Sequence, residues 1–333
     1  MNVITVIGAG RAGRQLVEKI KKIDPAVPIT IIDKNTVWVD NESLFKMSTP
    51  AVRLELSDWA EKNNVTFINA FLDRISARRK KLYFKDRDVM DFEKVILATG
   101  IKSKKLDIKG MHREMVCYLT DIEMSDFKNT MRVAVEITVI AETLVGLFFA
   151  VALKEKGKDV TVVMSDSSFL GAEHDELISL LNGHGITVYD NAKISEIIGE
   201  RYARAVKIEP LKVFSTDIIF VDSGFCANNE FFDDPIMLKD KFFTQYPAVL
   251  AVGNTVNDEL MDNSKITYDG VDINGQSDVL SAYLVTGEKL LLDRIGQNVD
   301  NRTLYINGIK EKLDNIKNSG IELPKVDSLQ DNN

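Results

Sequence analysis

The stretch VITVIGAGRAGRQLVEKI, residues 3–20, decides the fold of the first part of the chain. A run of apolar and β-branched residues, Val3–Ile7, leads into a glycine-rich turn, after which Leu16 and Ile20 lie one helical turn apart. A second apolar run follows at Ile29–Ile32. This order predicts a strand, a crossover helix and a parallel strand, the unit from which doubly wound α/β sheets are built.

The turn itself carries the spacing GxGxxG, formed by Gly8, Gly10 and Gly13. Gly8 permits a tight turn, Gly10 lets the backbone approach a pyrophosphate, and Gly13 lets the helix pack closely on the strand. The helix N-terminus attracts phosphate charge, and Asp33, at the end of the second strand, is placed to accept hydrogen bonds from ribose hydroxyls. The pattern predicts a dinucleotide site; a glycine-rich turn without a ligand is the alternative.

The same order of elements returns in the middle of the chain. Apolar runs at Ile137–Ile140 and Val160–Val163 flank a helical segment, Leu144–Lys156. A further apolar run, Ala248–Val252, precedes a polar loop and a helix expected from about Ser277 to Ile295. The sequence therefore predicts two Rossmann-like, doubly wound α/β domains related by a weak internal repeat.

Four motifs occur in order along this framework: VIGAGRAG at residues 6–13, VILATG at 95–100, SGFCANNEF at 223–231 and YPAVLAVGN at 246–254. Together they resemble the flavin-dependent pyridine nucleotide–disulfide oxidoreductases. The resemblance implies an FAD-binding domain made of residues 1–110 plus 247–300, with an NAD(P)-binding-like domain of residues 111–246 inserted into it. Residues 301–333 remain as a C-terminal tail, too short for the full dimerisation domain that some members of the family carry.

The resemblance also implies which residues bind FAD. The first turn would line the pyrophosphate, Asp33 would hold the adenosine ribose, and an ATG turn would lie beside the flavin nucleotide. Asn254 stands where the family has an aspartate, and an amide can still donate and accept hydrogen bonds. The helix from Ser277 would point its N-terminus at the flavin. The implied cofactor-binding residues are Gly8, Gly10, Arg11, Ala12, Gly13, Asp33, Lys34, Ala98, Thr99, Gly100, Gly253 and Asn254.

The second turn departs from the family pattern. It reads VIAETLVGLFF at residues 139–149, so that Ala141, Glu142 and Thr143 open the turn and Gly146 alone remains of the glycines. A carboxylate at Glu142 repels an anionic pyrophosphate, and the side chain of Thr143 stands where backbone must approach it closely. Two further changes agree: Met164 ends the next strand in place of an acid, and Phe148 replaces a glutamate that the family places near the nicotinamide. These changes disfavour conventional NAD(P)H binding.

The sequence does not contain the residue patterns that dithiol redox chemistry or metal binding requires. Cys117 and Cys226 are far apart and form neither a CxxC nor a CxxxxC pair, so no redox-active dithiol is predicted. Each thiol is most simply a small buried side chain, and Cys226, in a predicted loop, is the better candidate for reactivity. The three histidines are scattered, which predicts no metal site, and no catalytic residue can be assigned.

Composition and charge exclude other classes of protein. The chain carries 42 basic and 50 acidic residues, a net charge of −8, which argues against nucleic-acid binding. Residues 133–153 are long and apolar enough to suggest a membrane span, but Glu136 and Glu142 interrupt them, so a buried strand and helix are predicted instead. The N-terminal sequence has no signal-peptide pattern, and a cytoplasmic location is expected.

Three functions follow from the sequence. The leading hypothesis is an FAD-dependent oxidoreductase that exchanges electrons with a protein or a small molecule other than conventionally docked NAD(P)H. A basic stretch at Lys102, Lys104, Lys105 and Lys109 could dock an acidic partner, but a solvated loop is the simpler explanation of it. The alternatives are a non-catalytic or sensing flavoprotein that uses the inserted domain as an interaction surface, and an NAD(P)H-dependent reductase with an altered nicotinamide site. A homodimer is compatible with each of them.

Overall fold

The structure is a computed structural model of the 333-residue chain. It describes residues 3–39, 53–122, 124–210, 212–228, 231, 233, 238–240, 242–256, 273–287 and 302–318.

The described strands are numbered in chain order. They are β1 Ile4–Ile7, β2 Ile29–Asp33, β3 Val37–Val39, β4 Arg53–Glu55, β5 Thr66–Asn69, β6 Leu72–Ser76, β7 Lys81–Phe84, β8 Met90–Asp91, β9 Lys94–Leu97, β10 Ile101–Ser103, β11 Val116–Tyr118, β12 Glu136–Ala141, β13 Asp159–Val163, β14 Thr187–Tyr189, β15 Ile194–Ile198, β16 Ala205–Ile208, β17 Lys212–Ser215, β18 Ile218–Asp222, β19 Phe225–Ala227, β20 Leu238–Asp240, β21 Phe243–Thr244 and β22 Val249–Ala251.

The described α-helices are likewise numbered in chain order. They are α1 Arg11–Ile23, α2 Leu56–Lys62, α3 Met124–Val133, α4 Leu144–Glu155, α5 His174–Gly183, α6 Ile273–Thr286 and α7 Arg302–Asn318. Short 3-10 turns lie at Leu119–Asp121, Ser168–Glu173 and Gly253–Val256.

The first sheet takes strands from two separate parts of the chain. Its order is β20-β21-β22-β9-β1-β2-β5, with β22, β9, β1, β2 and β5 parallel. Every residue of β1 is buried because apolar side chains cover both faces of a parallel sheet. Strands β20 and β21 belong to this sheet although they precede residue 247, where the sequence predicted the chain to return to the first domain. The return therefore comes earlier, at or before Leu238.

The second sheet lies between those two parts of the chain. Its order is β11-β18-β12-β13-β14, and all of its strands are parallel. A three-stranded antiparallel sheet, β15-β16-β17, adjoins it in sequence, and the antiparallel pair β10–β19 joins residues 101–103 to residues 225–227. Two doubly wound α/β sheets confirm the predicted fold class.

Helix α4 accounts for the apolar stretch at residues 133–153. All of its residues from Leu144 to Lys154 are buried, since it lies between the second sheet and helix α7. Among the described residues, no helix combines the length and the apolar character that crossing a membrane requires. The apolar stretch is thus explained by burial on all sides within the protein.

Helix α7 occupies a region that the sequence predicted to be a tail. It buries Tyr305, Ile306, Ile309, Leu313 and Ile316 against the inserted sheet's core. These residues recur at helical spacing and form one apolar stripe. The stripe is hard to detect in the sequence because polar residues separate its members. Helix α6 begins at Ile273, earlier than predicted, and is described to Thr286; the rest of the predicted Ser277–Ile295 helix lies outside the described residues.

Candidate functional site

The first glycine turn connects β1 to α1 at the carboxyl edge of the first sheet. Gly8 has φ +103°, and a Cβ there would lie 2.4 Å from the carbonyl oxygen of Ala98. At Gly13 a Cβ would lie 2.0 Å from the carbonyl oxygen of Gly8. Gly10 differs, because no heavy atom lies within 4 Å of the position that its Cβ would take. The fold therefore requires Gly8 and Gly13, whereas Gly10 borders open space that a ligand can use.

Helix α1 begins without a cap from the protein. Its N-cap is Gly10, no side chain accepts a hydrogen bond from the helix N-terminus as a cap, and no acidic residue lies in the first turn. Asp33 lies beside this turn: its Oδ2 accepts a hydrogen bond from the N–H of Ala9 at 2.7 Å and its Oδ1 one from Asn35 at 2.9 Å. Arg11 and Lys34 are exposed at the same edge. An uncapped helix N-terminus with an acid beside it is the arrangement that holds a dinucleotide pyrophosphate and ribose.

Two other segments converge on this turn. Ala98 follows β9 and donates its N–H to the carbonyl of Ile7 at 2.8 Å, which places the ATG turn next to Gly8. Gly100 donates its N–H to Thr255 Oγ1 at 2.9 Å, and Thr99 Oγ1 lies 3.3 Å from the same hydroxyl. A Cβ at Gly100 would meet no atom within 4 Å. The ATG turn thus has its own open space at the edge of the sheet.

Gly253 brings the C-terminal part of the first sheet to the same place. It has φ +72°, and a Cβ there would lie 2.6 Å from the Cβ of Ala12. Its N–H donates to Oε1 of the buried Gln276 on α6 at 2.8 Å. The side chain of Asn254 lies outside the described residues. The structure therefore brings together the predicted residues whose positions it describes.

Thr255 and Gln276 were missed by sequence reasoning. Both act on turn backbone from distant parts of the chain, Thr255 on Gly100 and Gln276 on Gly253. Local spacing carries no signal for contacts across more than twenty residues. For Thr255, the only indication in the sequence was that it lies two residues after Gly253, the glycine of the last motif.

The second turn, between β12 and α4, is filled by a side chain of the protein. Asp222, at the end of β18, is fully buried, and its Oδ2 accepts hydrogen bonds from the N–H of Thr143 at 3.0 Å, the hydroxyl of Thr143 at 2.7 Å and the N–H of Gly146 at 2.9 Å. Thr143 is the N-cap of α4 and accepts a hydrogen bond from the N–H of Val145 at 3.1 Å. Burial raises the pKa of Asp222, against the opposing effect of these hydrogen bonds.

Glu142 links the second turn to Ser165, two residues past the end of β13. Its carboxylate accepts hydrogen bonds from the N–H of Ser165 at 3.1 Å and from the Ser165 hydroxyl. Burial raises the pKa of Glu142, with smaller contributions in the same direction from Asp222 and Asp166. Met164, at the position where an acid would hold a ribose, is fully buried. The second turn therefore carries neighbouring carboxylates, and Glu142 is bonded within the chain to Ser165.

Phe148 contacts the C-terminal helix. Its ring lies edge-on to that of Tyr305 with 5.7 Å between centroids, and a Cβ added at Gly308 would lie 2.8 Å from Phe148 Cε2. Lys312 lies over the same ring, 5.6 Å from its centroid, and forms an ion pair of 2.5 Å with Glu155. The position that sequence reasoning assigned to the nicotinamide side is therefore covered by α7.

The remaining candidates are placed as follows. Cys117 lies on β11 and Cys226 on β19; both are partly exposed, and the two form no disulfide with each other. No group of three or more His, Cys, Asp or Glu side chains suited to a metal occurs in the part of the chain that the structure describes. In the basic stretch, Lys105 pairs with Asp121 at 2.6 Å and Lys109 with Glu196 at 2.7 Å. Local carboxylates thus neutralise part of that stretch.

Two parallel doubly wound sheets, one with an open glycine turn and one with a filled turn, define a two-domain Rossmann-type protein. Comparison of the sequence with known families agrees: the model described as "Pyridine nucleotide-disulphide oxidoreductase" matches residues 2–267. The chain belongs to this family.

Individual relatives are distant. The chain is 26% identical over 275 residues to a rubredoxin-NAD(+) reductase of Ectopseudomonas oleovorans, covering 75% of this chain and 71% of that protein. It is 25% identical over 239 residues to a nitric oxide reductase FlRd-NAD(+) reductase of Vibrio vulnificus, covering 68% and 62%. Among solved structures, an NAD-dependent persulfide reductase from A. fulgidus superimposes with a TM-score of 0.76 at 20% identity, covering 89% of this chain and 61% of that one.

Proposed function

We propose that this protein is an FAD-dependent oxidoreductase in which electrons pass through the flavin. The observation that carries the proposal is the open first turn: an uncapped α1 N-terminus, free space at Gly10 and Gly100, and Asp33 beside them. FAD, when bound, would supply the redox chemistry. The chain would supply binding through Gly8, Gly10, Arg11, Ala12, Gly13, Asp33, Lys34, Ala98, Thr99, Gly100, Gly253 and Asn254.

Family membership supports the oxidoreductase assignment. The names of two relatives join NAD(+) to rubredoxin or to FlRd, which supports electron exchange with a small redox protein as well as with a nucleotide. In this chain the second turn is filled, so we propose that the donor is a protein or a small reductant that reaches the flavin without docking at α4. Among the described residues, no pair of cysteines offers a dithiol relay.

A second function is favoured by one specific observation. The inserted domain is closed by its own side chains at Asp222, Glu142 and Phe148, as a domain used only for interaction would be. A sensing flavoprotein would show no steady-state turnover with common electron acceptors, but its oxidised and reduced forms would bind a partner with different affinities. Turnover measurements separate it from the enzyme.

The experiment that tests the proposal measures the bound cofactor. The wild-type protein, the Gly10→Glu variant and the matched control Gly183→Glu are purified. The bound cofactor is then released by heat, and the released flavin is measured. Gly183 is exposed near the end of α5 with no atom within 4 Å of its would-be Cβ, so the same added carboxylate there should be harmless. We expect a full complement of FAD in the wild type and in Gly183→Glu, and none in Gly10→Glu because its carboxylate repels the pyrophosphate. FAD retained by Gly10→Glu would refute the assignment of the first turn.

A further inference from the structure

The two turns of this chain can be compared position by position. In the first sheet Ile7 pairs with Leu97, and in the second Ile140 pairs with Val221. Gly8 follows Ile7, and Ala141 follows Ile140, so these two residues correspond. On the neighbouring strands, the residue after Leu97 therefore corresponds to the residue after Val221. They are Ala98 in the first domain and Asp222 in the second.

Packing around the third glycine gives the same correspondence independently. A Cβ added at Gly13 would lie 3.2 Å from the Cβ of Ala98. A Cβ added at Gly146 would lie 2.9 Å from the Cβ of Asp222. The positions two residues later agree as well, since Gly100 and Gly224 both have positive φ, at 69° and 73°. Ala98 and Asp222 therefore occupy the same place relative to the two glycine turns.

The difference between these two side chains decides what each helix N-terminus can bind. Beside Ala98 the N-terminus of α1 has no side-chain cap. Beside Asp222 the N-terminus of α4 is capped from within, since one carboxyl oxygen accepts from the N–H groups of Thr143 and Gly146. These N–H groups lie at the first turn of a helix, where backbone amides bind phosphate in dinucleotide sites.

Resting on the proposed function, we infer that Asp222 is a specificity-determining residue, which keeps the pyrophosphate of NADH and NADPH out of the inserted domain by occupying the amides of α4. Its side chain is fully buried and takes three hydrogen bonds on one oxygen, so a ligand phosphate must displace it completely. The carboxyl group fills this space whether or not it carries a proton. Glu142, held by Ser165, adds negative charge on the solvent side of the same turn.

The test transfers the first turn onto the second. One variant, A141G/E142A/T143G, reproduces Gly8-Ala9-Gly10, and a second adds D222A to reproduce Ala98 as well. Binding of NADH and of NADPH to each purified holoprotein is measured by isothermal titration calorimetry. We expect no saturable binding up to about 1 mM for the wild type, and a dissociation constant at least about tenfold lower for the four-residue graft than for the three-residue graft. Equal affinity of the two grafts, or saturable binding of either nucleotide to the wild type below about 1 mM, would overturn the inference.

A converse variant keeps the test decisive if the four-residue graft does not fold. Ala98→Asp places the carboxyl group at the first turn and leaves the inserted domain unchanged. We expect its affinity for FAD to fall at least about tenfold, measured by adding FAD to protein stripped of cofactor, with circular dichroism as the check of folding. Unchanged FAD affinity in folded Ala98→Asp would overturn the inference. If the wild type binds no FAD at all, the proposed function fails, while the NADH and NADPH titrations still decide the role of Asp222.

Discussion

At the scale of single residues, the two turns show how individual side chains set opposite binding properties of a helix N-terminus. Glycine is required at positions 8 and 13 because a Cβ there would lie within 2.4 Å of backbone atoms of the protein. At Gly10 the absence of a side chain instead leaves space free for a ligand. Asp222 works in the other direction, because it supplies from within the chain the acceptor that an open turn would take from a ligand. Each turn is therefore satisfied, one by an expected ligand and the other by the protein.

His174 provides a prediction at this scale. Its Nδ1 lies 2.8 Å from Asp175 Oδ1 and its Nε2 lies 2.8 Å from Asp190 Oδ2. The hydrogen bonds to Asp175 and then Asp190 raise the pKa of His174 above its usual value. A raised pKa in the folded state means that the protonated imidazole stabilises the fold fully below the usual pKa of about 6.5, and that this stabilisation is lost as pH rises through the folded-state pKa.

The measurement combines NMR titration with urea unfolding. The His174 ring should titrate above about 6.5, and the difference in unfolding free energy between the wild type and His174→Gln should shrink as pH rises from about 5.5 to about 8.5. A His174 pKa below the usual value would contradict the ion-pair geometry.

Sequence reasoning reached some residues of the site and not others, for a physical reason. Gly8, Gly10, Gly13 and Asp33 follow a local spacing that the turn itself imposes, so they can be read from one stretch of chain. Asp222 acts on a turn 76 residues away from it, at Gly146, and the pairing of β12 with β18 brings the two together. Alignment of the two internal repeats, with Ala98 against Asp222, was the signal that could have found it.

At the scale of elements, helix α7 is the largest departure from the sequence expectation. It packs along α4 through Tyr305, Ile309 and Leu313, and Arg302 at its start donates to the carbonyl of Phe169 at 2.5 Å and to Glu173 at 2.6 Å. The strands and helices of the first unit were predicted well because their apolar periods are unbroken. Helix α7 was missed because only one narrow stripe of it is apolar, which sequence periodicity detects poorly in a polar segment.

Ile309 and Leu304 offer a matched pair on α7. Ile309 is fully buried, whereas Leu304 is 65% exposed. We expect Ile309→Ala to lower the unfolding free energy by about 2–5 kcal/mol, since it leaves a cavity between α7 and the core around α4. Leu304→Ala should change it by less than about 0.5 kcal/mol. The measurement is equilibrium urea unfolding; equal effects of the two substitutions would show that α7 does not pack as described.

At the scale of the whole molecule, the two sheets differ in whether their glycine turn is open or filled by a side chain. Strands within residues 4–97 and 238–251 build the sheet with the open turn, and strands of the intervening chain build the sheet whose turn is filled. The antiparallel pair β10–β19 connects the two parts of the chain immediately after the ATG turn in sequence, and in this pair Lys102 lies opposite Cys226. Under the proposed function, a flavin held by the first domain would exchange electrons without a nucleotide docked at α4.

The most direct test of this account is anaerobic mixing of the purified flavoprotein with NADH and, separately, with NADPH, while the visible absorbance of the flavin is followed in a stopped-flow spectrophotometer. Dithionite serves as the control that the flavin can be reduced. We predict that dithionite bleaches the flavin band and that neither nucleotide does so on the time scale of enzyme turnover, about a second or less. Rapid bleaching by NADH or NADPH would contradict the account, because it would show that a nicotinamide reaches the flavin despite the filled second turn.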